Sequence, residues 1–143
     1  MPTVAAALDD DDARTRASAA HALRGMDRDA AQPLLAARLA REDDREVRRE
    51  LAATITENAR GRFDEPAVRA AADALPRTPQ AAVRAELIRL LGAAAATRDD
   101  ARAALAAWAE REPEAALLQL IGRYLDLPTL REALRRRAAA ATP

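Results

Sequence analysis

Apolar residues recur at spacings of three and four along most of the chain, with polar residues between them. Four such stripes occur: Ala19, Ala20 and Leu23; Val47, Leu51 and Ile55; Val83, Leu87, Leu90 and Leu91; and Leu117, Leu120, Ile121 and Tyr124. This spacing places the apolar side chains on one face of an α-helix. The alternating β-branched or aromatic runs that indicate strands do not occur. The pattern therefore predicts an all-α protein.

Shorter helical segments lie between the stripes, and proline or aspartate marks their starts. Proline is favoured there because the first turn of a helix does not use its N–H groups, and aspartate is a common N-terminal cap. The predicted segments are 34–40 after Pro33, 67–75 after Pro66 with Asp64 as cap, 101–110 after Asp99 or Asp100, and 129–137 after Pro128 with Asp126 as cap. Together with the striped helices they make eight helices of about 10 to 16 residues.

Glycines mark the expected ends of the striped helices. All four lie at or near such an end: Gly25, Gly61, Gly92 and Gly122. A left-handed C-cap is the usual role of glycine in that place. We therefore predict that each of them ends a helix.

The helices also recur as a repeat of the sequence. Residues 11–16 (DDARTR) superpose on residues 43–48 (DDREVR), and Val83-Arg84 repeats Val47-Arg48 further along. Leu90-Leu91-Gly92 returns as Leu120-Ile121-Gly122. Each unit is a helix, a turn rich in Asp or Pro, and a longer helix. The predicted units are 9–40, 41–75, 76–110 and 111–139 within a single domain of residues 1–143, followed by a disordered tail at 140–143.

This repeat resembles the HEAT repeat, in particular the bacterial HEAT-like kind known from phycobilisome lyases. The resemblance covers residues 9–124 and is clearest from Pro33 to Ala52, where an outer helix, an Asp turn and a Val-Arg helix start follow one another. It departs in the fourth unit, where Glu112-Pro113-Glu114 replaces the Asp turn. The resemblance implies a right-handed, armadillo-like α-solenoid of about four stacked antiparallel helix pairs. It also implies that helices 13–24, 45–59, 80–95 and 114–124 line the concave face.

The composition indicates a thin core with closely packed helices. Leu, Ile, Val and Phe together number 26 of 143 residues, whereas Ala alone numbers 41. Alanine is the strongest helix former and has a small side chain. The predicted core is Leu35, Leu39, Val47, Leu51, Ile55, Leu75, Val83, Leu87, Leu91, Leu105, Leu117 and Ile121.

The charge and cysteine content exclude several kinds of site and of protein. The 23 basic and 23 acidic residues cancel, and there is no cysteine, which excludes disulfides and thiolate metal sites. Residues 1–12 show no pattern of a secretion signal, and no apolar run is long enough to span a bilayer. We expect a cytoplasmic protein without a cofactor, metal or membrane association.

Two features could suggest chemistry, but neither pattern is complete. His21 is the only histidine, and Ser18 lies three residues before it. No third group orients the pair and no glycine-rich turn offers an oxyanion site, so a surface histidine is expected. Asp9 to Asp12 lack the glycine and closing glutamate of a calcium loop and are predicted to start a helix. We expect a protein that is not an enzyme.

Arginine recurs with the repeat at Arg16, Arg48 and Arg84. In the family that the chain resembles, the corresponding Asp and Arg form hydrogen bonds between adjacent repeats, which implies a structural role here, with ligand contact as the alternative. Trp108 follows Leu105 by three residues, and core packing is expected for it. Arg135, Arg136 and Arg137 are expected to be a cationic helix end.

Other arginines are predicted to form a ridge on the concave face. On a helix whose stripe is Val47, Leu51 and Ile55, the opposite side carries Arg49 and Arg60. The predicted partner-binding residues are Arg24, Arg49, Arg60, Arg89 and Arg123, with Glu57 as the nearest acid. On a neutral chain, arginines collected on one side indicate an acidic partner. A solvated face, enriched in Arg because the chain has no Lys, is the alternative.

The sequence thus favours an interaction scaffold or adaptor that binds an acidic protein segment. The first alternative is a nucleic-acid binder similar to the HEAT-like DNA glycosylases of alkylation repair. Zero net charge argues against it, because phosphate neutralisation dominates such binding. The second alternative, a component of a bilin-lyase-type system, rests on the repeat resemblance alone.

Overall fold

The computed structural model describes residues 3–141, and no strand occurs among them. Helices account for 76 % of the described residues, which confirms the all-α prediction. The nine α-helices of this range are α1 (Val4–Ala7), α2 (Ala13–Ala22), α3 (Arg28–Leu39), α4 (Arg45–Ala59), α5 (Glu65–Ala74), α6 (Ala81–Ala95), α7 (Asp99–Ala109), α8 (Ala115–Gly122) and α9 (Leu127–Ala141). Short 3₁₀ turns follow α2 and α5, at Leu23–Gly25 and Leu75–Arg77.

The helices pack in two rows. In the even row, α2 packs on α4, α4 on α6, and α6 on α8; in the odd row, α3 packs on α5, α5 on α7, and α7 on α9. The rows are joined where α3 meets α4, α5 meets α6, and α6 meets α7. Each helix from α2 to α9 therefore packs against a helix two positions away in the chain. The solenoid arrangement and its handedness stay predictions.

Several helix boundaries differ from the prediction. The third helix begins at Arg28, and Pro33 lies inside it, because Asp27 caps the helix by accepting a hydrogen bond from the Ala30 N–H at 3.2 Å. A capped first turn upstream is enough to start the helix before the proline. The predicted start after Pro33 is therefore wrong. The described residues form nine α-helices instead of eight, because the four residues of α1 were not predicted to be helical. Helix α8 has eight residues, fewer than the predicted 10 to 16.

The other predicted helix starts agree better with the structure. Pro66 and Pro128 are each the second residue of their helix, and α7 begins at Asp99. Asp126 accepts a hydrogen bond from the Thr129 N–H at 3.1 Å, as expected of a cap. Asp64 occupies the cap position of α5, but its side chain makes no capping bond. In the predicted tail, Ala140 and Ala141 belong to α9, and residues 142 and 143 lie outside the described range.

The predicted core is confirmed. All twelve predicted side chains are buried, and the most exposed of them is Leu117 at 9 %. Buried alanines lie between the larger side chains, for example Ala52 in α4 and Ala71 in α5. Small side chains at such positions let neighbouring helix axes approach closely.

Only one glycine has the left-handed conformation that was predicted for all four. Gly61 has φ 84° and follows Arg60, whose φ is 48°, so the chain turns sharply after α4. Gly92 lies inside α6 and has another role. A Cβ atom there would lie 2.4 Å from Cγ of the Tyr124 ring. The glycine lets Tyr124 pack against α6, and its predicted role as a C-cap is wrong.

We expect Gly92→Ala to lower the melting temperature, because the added methyl overlaps the Tyr124 ring. Overpacking of this kind typically costs about 1–3 kcal/mol, more than the gain of up to about 1 kcal/mol from replacing a helical glycine by alanine. Gly122→Ala is the matched control, since its nearest atom would lie at 3.5 Å, an ordinary contact. Equal melting temperatures for the two variants in a thermal unfolding experiment would contradict this interpretation.

Candidate interaction surface

Three buried or half-buried arginines connect successive turns of the stack. Arg16, Arg48 and Arg84 each lie four residues after the cap of an even-row helix. Each donates hydrogen bonds to backbone carbonyls in the turn before its own helix, and each also reaches the turn before the next even-row helix. We call these three residues the arginine ladder. The three arginines have structural contacts, as expected, but the acceptors are Glu42, Glu112, Thr78 and backbone carbonyls and not the aspartates that the resemblance implied.

The first step of the ladder joins Arg16 to Glu42. Nε and Nη2 of Arg16 donate to the two carboxylate oxygens of Glu42 at 2.8 and 3.0 Å, and Arg38 donates to the same carboxylate at 3.1 Å. Glu42 is only 1 % exposed. Burial opposes its ionisation, but the hydrogen bonds from Arg16 and from the Asp44 N–H hold the pKa of Glu42 below its ordinary value.

The second step uses neutral acceptors. Arg48 donates to the carbonyl of Glu42 at 2.7 Å, to the carbonyl of Arg77 at 2.9 Å and to the hydroxyl of Thr78 at 3.3 Å. The nearest carboxylate, on Asp43, lies 3.7 Å away. Burial, together with the nearby Arg77 charge, lowers the pKa of Arg48.

The third step is the most deeply buried. Nε and Nη2 of Arg84 donate to Glu112 at 2.9 and 3.2 Å, and the indole N–H of Trp108 donates to the same carboxylate at 3.0 Å. Glu112 has no exposed surface. Burial opposes its ionisation, yet the bonds from Arg84, the Glu114 N–H and Trp108 hold the pKa of Glu112 below its ordinary value. This ion pair is a structural element, and its carboxylate has no free face for a ligand.

The predicted ridge residues lie on the even row, but their charges are largely balanced. Arg49 and Arg89 have half-exposed side chains, and each pairs with a glutamate three residues earlier, at 3.2 Å to Glu46 and 2.8 Å to Glu86. Glu57 does lie 2.9 Å from Nε of Arg24, but it is not the nearest acid to the other arginines. The prediction overlooked these glutamates.

Arg24 is the least accessible to a binding partner among the five predicted residues. Its side chain is 35 % exposed and lies within ion-pair distance of Glu50 as well as Glu57. The contact with Glu57 lacks hydrogen-bond geometry, so the buried Nε has no hydrogen-bond partner. Arg24 is therefore held by its two ion pairs and by one hydrogen bond, which its Nη2 donates to Glu50 at 3.5 Å.

Arg60 and Arg123 are exposed, and neither side chain has an ion pair or hydrogen bond among the described residues. Arg60 directly follows α4, and Arg123 directly follows α8. Arg89 is the ninth residue of α6, and Arg123 stands at the same position counted from the start of α8. These two arginines share one register on neighbouring helices, while Arg49 lies one helical turn earlier, as the fifth residue of α4.

The other candidate residues, His21 and the aspartates from Asp9 to Asp12, take part in contacts that stabilise the fold. His21 is exposed, and its Nδ1 lies 3.0 Å from the carboxylate of Glu50. Asp12 accepts a hydrogen bond from the Arg14 N–H, and Asp9 pairs with arginines of α3 and the following turn. The expectation of a surface histidine and a capped helix start is confirmed. Within residues 3–141, no three His, Cys, Asp or Glu side chains form a group that could hold a metal ion.

Trp108 is buried as expected, at 9 % exposure. The guanidinium of Arg111 lies 5.3 Å from the centre of its ring. Arg135, Arg136 and Arg137 lie within α9, and the last turn of this helix carries no basic residue, so the predicted cationic helix end is wrong. Arg135 and Arg136 pair with Glu132, and Arg137 donates to the carbonyl of Ala109 in α7. The three arginines thus attach to their own helix and to the neighbouring one.

Several apolar grooves open on the surface of residues 3–141, two of them next to α3 and α8. The first, of about 300 Å³, lies between α3 and α5 and is lined mainly by alanine and by Pro33 and Pro66. The second, of about 570 Å³, lies between α8 and α9 and contains Leu118, Leu130 and Leu134. Of these two, only the second has large aliphatic side chains in its lining.

None of the helices within residues 3–141 is both long and apolar enough to cross a bilayer. Comparison with models of protein families, with curated proteins and with solved structures finds no match for this chain.

Proposed function

We propose that this protein is a non-catalytic scaffold, built as a right-handed HEAT-like solenoid, that binds an acidic segment of another protein along its even row. The support is the pair Arg89 and Arg123, which have the same register on the packed helices α6 and α8. Neighbouring helix axes lie about 8–10 Å apart. Two guanidinium groups at such a spacing can each bind a carboxylate of one extended or helical segment.

The existing ion pairs do not prevent this role. Arg89 is 47 % exposed, and its pair with Glu86 is an exposed pair within one helix. Such pairs contribute about 0.3–0.5 kcal/mol, so a partner carboxylate can displace Glu86. Arg123 has no such pair.

The balance of charge sets the position of the segment along the row. Near α2 and α4, Glu46, Glu50 and Glu57 accompany Arg24 and Arg49. These glutamates repel an acidic segment, whereas Arg123, directly after α8, forms no ion pair with any of the described residues. The central contacts are therefore Arg89 and Arg123, with Arg24, Arg49 and Arg60 further along the row.

Reversal of the two central charges should weaken binding of an acidic peptide. We expect Arg89→Glu/Arg123→Glu to reduce the affinity for a fluorescein-labelled glutamate-rich peptide by about tenfold or more at low salt, since attraction becomes repulsion at both contacts. Fluorescence anisotropy measures the affinity, and binding to wild type should weaken as salt is added. Circular dichroism should show an unchanged fold, because both side chains are exposed.

The matched control is Arg62→Glu/Arg69→Glu, which changes the net charge equally at two exposed arginines outside the even row. It should reduce the affinity by much less. An equal loss in the two double variants would show that only net charge matters. A single-stranded DNA that binds as tightly as the peptide, with the same dependence on Arg89 and Arg123, would favour the nucleic-acid alternative.

A further inference from the structure

The groove between α8 and α9 lies where another helix would pack. In each earlier even-row helix, the fourth residue after the cap is a ladder arginine that reaches the turn before the next even-row helix. In α8 this position is Leu118, and the adjoining turns carry Ala115 and Gly122. The same face that is covered in α2, α4 and α6 is thus apolar in α8 and forms the floor of the groove.

The opposite wall of the groove comes from α9. Leu130 and Leu134 stand one turn apart on this helix and line the groove with Leu118. Leu134 is 38 % exposed, and Leu127, a turn before Leu130 on α9, is 56 % exposed. Leucines that are exposed to this extent and gathered in one groove are typical of a surface that another element covers.

The charge around the groove indicates the kind of element. Residues 115–141 contain five arginines and two acidic residues, although the whole chain is neutral. Arg123 lines the groove, and Arg131 adjoins Leu130; neither side chain has a partner among the described residues. A second copy of this chain docked here about a two-fold axis would bring the same arginines together, which is repulsive.

We propose that the α8–α9 groove docks an amphipathic helix of another protein that carries aliphatic residues on one face and carboxylates beside them. Aliphatic side chains spaced three and four residues apart fill the groove between Leu118 and Leu134, as in other helix-in-groove complexes. The flanking carboxylates pair with Arg123 and Arg131. The groove shares Arg123 with the even-row surface, but it differs from that surface because its affinity comes from apolar burial as well as charge.

The test uses a synthetic helical peptide with leucines along one face and glutamates on the others. We expect Leu134→Gln to weaken its binding by about tenfold, as for a side chain in the centre of an interface. Leu34→Gln is the matched control, because Leu34 on α3 is also 38 % exposed. It should leave the affinity unchanged. Both leucines are exposed enough for the variants to fold, which circular dichroism checks.

Two further peptides separate this proposal from binding along the even row. A peptide with the same glutamates but alanine in place of leucine measures charge attraction alone, and it should bind more weakly and respond equally to both leucine variants. A leucine peptide with lysines in place of the glutamates should not bind. The proposal is overturned if the alanine peptide binds as tightly as the leucine peptide, if the lysine peptide binds equally well, or if Leu134→Gln has no effect. Self-association of the wild-type protein that Leu134→Gln abolishes would overturn it in favour of a second copy.

Discussion

Glu112→Ala should lower the free energy of unfolding by about 3–5 kcal/mol, the usual loss when one partner of a buried ion pair is removed. The variant leaves the guanidinium of Arg84, only 6 % exposed, without its carboxylate, and it leaves the indole N–H of Trp108 without an acceptor. Urea unfolding followed by circular dichroism measures the change. Glu114→Ala is the control, because Glu114 is exposed and its side chain makes no bond. Equal stability of the two variants would contradict the role of the ladder.

The stability that Glu112 provides should also depend on pH. Because the pKa of Glu112 is lowered in the folded protein, the stability that it provides is fully present above the pKa of the unfolded chain, about 4.3. That stability is lost as the pH falls through the lowered value. The difference between wild type and Glu112→Ala should therefore shrink in acid. A double replacement by apolar residues, Arg84→Met/Glu112→Leu, should recover most of the loss, because no charge is then left unpaired.

Leu51→Ala should destabilise the protein by about 2–5 kcal/mol, the range for a fully buried leucine. Leu51 has no exposed surface, and it lies on α4, which packs against α2, α3 and α6. With so few large apolar residues in the chain, the cavity left behind has few side chains that can move to fill it.

Thermal unfolding compares this variant with Leu34→Ala, which removes the same atoms from a partly exposed position. The Leu34 variant should lose much less stability. If both melt at the wild-type temperature, α4 does not bury the face that carries Leu51.

The apolar pattern predicted the all-α class because burial follows helical periodicity closely in this chain. The stripe from Val47 to Ile55 is buried in the structure, as is its counterpart in α6. In the stripe of α8, Leu117 and Ile121 are buried, whereas Leu120 and Tyr124 are partly buried. The boundaries were harder to predict, since a proline can start a helix or lie within its first turns. At Pro33 the upstream cap Asp27 decided the outcome.

The acidic partners of the ladder could not be found from helical spacing. Glu42 and Glu112 lie 26 and 28 residues from the arginines they bind, so the contact exists only once the turns are stacked. A local signal was nevertheless present. Glu42, Thr78 and Glu112 each stand two residues before the cap of an even-row helix. In two of the three turns this side chain also accepts the N–H of the capping residue.

The ion pairs of the even row were also not predicted from the sequence, but for a different reason. The helical wheel placed Arg49 and Arg89 on the outward side correctly, as their exposure shows. It did not account for Glu46 and Glu86, which lie three residues earlier on the adjoining flank of the same helix. Side chains three residues apart are neighbours on a helix surface. The net charge of a helix face should therefore include the residues three positions before and after each exposed arginine, and not only the residues directly in line with it.

The ladder and the proposed binding surface lie on the same helices. Arg84 fixes the start of α6 to the turn before α8, and these two helices carry Arg89 and Arg123. Binding groups held in place before the partner arrives lose less conformational freedom on association. If the proposed function is correct, the buried arginines support binding by holding the exposed ones in place, without contacting the partner.

Mapping of amide chemical shifts during titration with the leucine-free, glutamate-rich peptide tests the central claim most directly. Binding along the even row predicts that the largest shifts occur in α6 and α8 around Arg89 and Arg123, with small shifts in α3 and α5. Shifts concentrated in α3 and α5, or no shifts at a saturating concentration of peptide, would contradict the proposal that the even row binds an acidic segment.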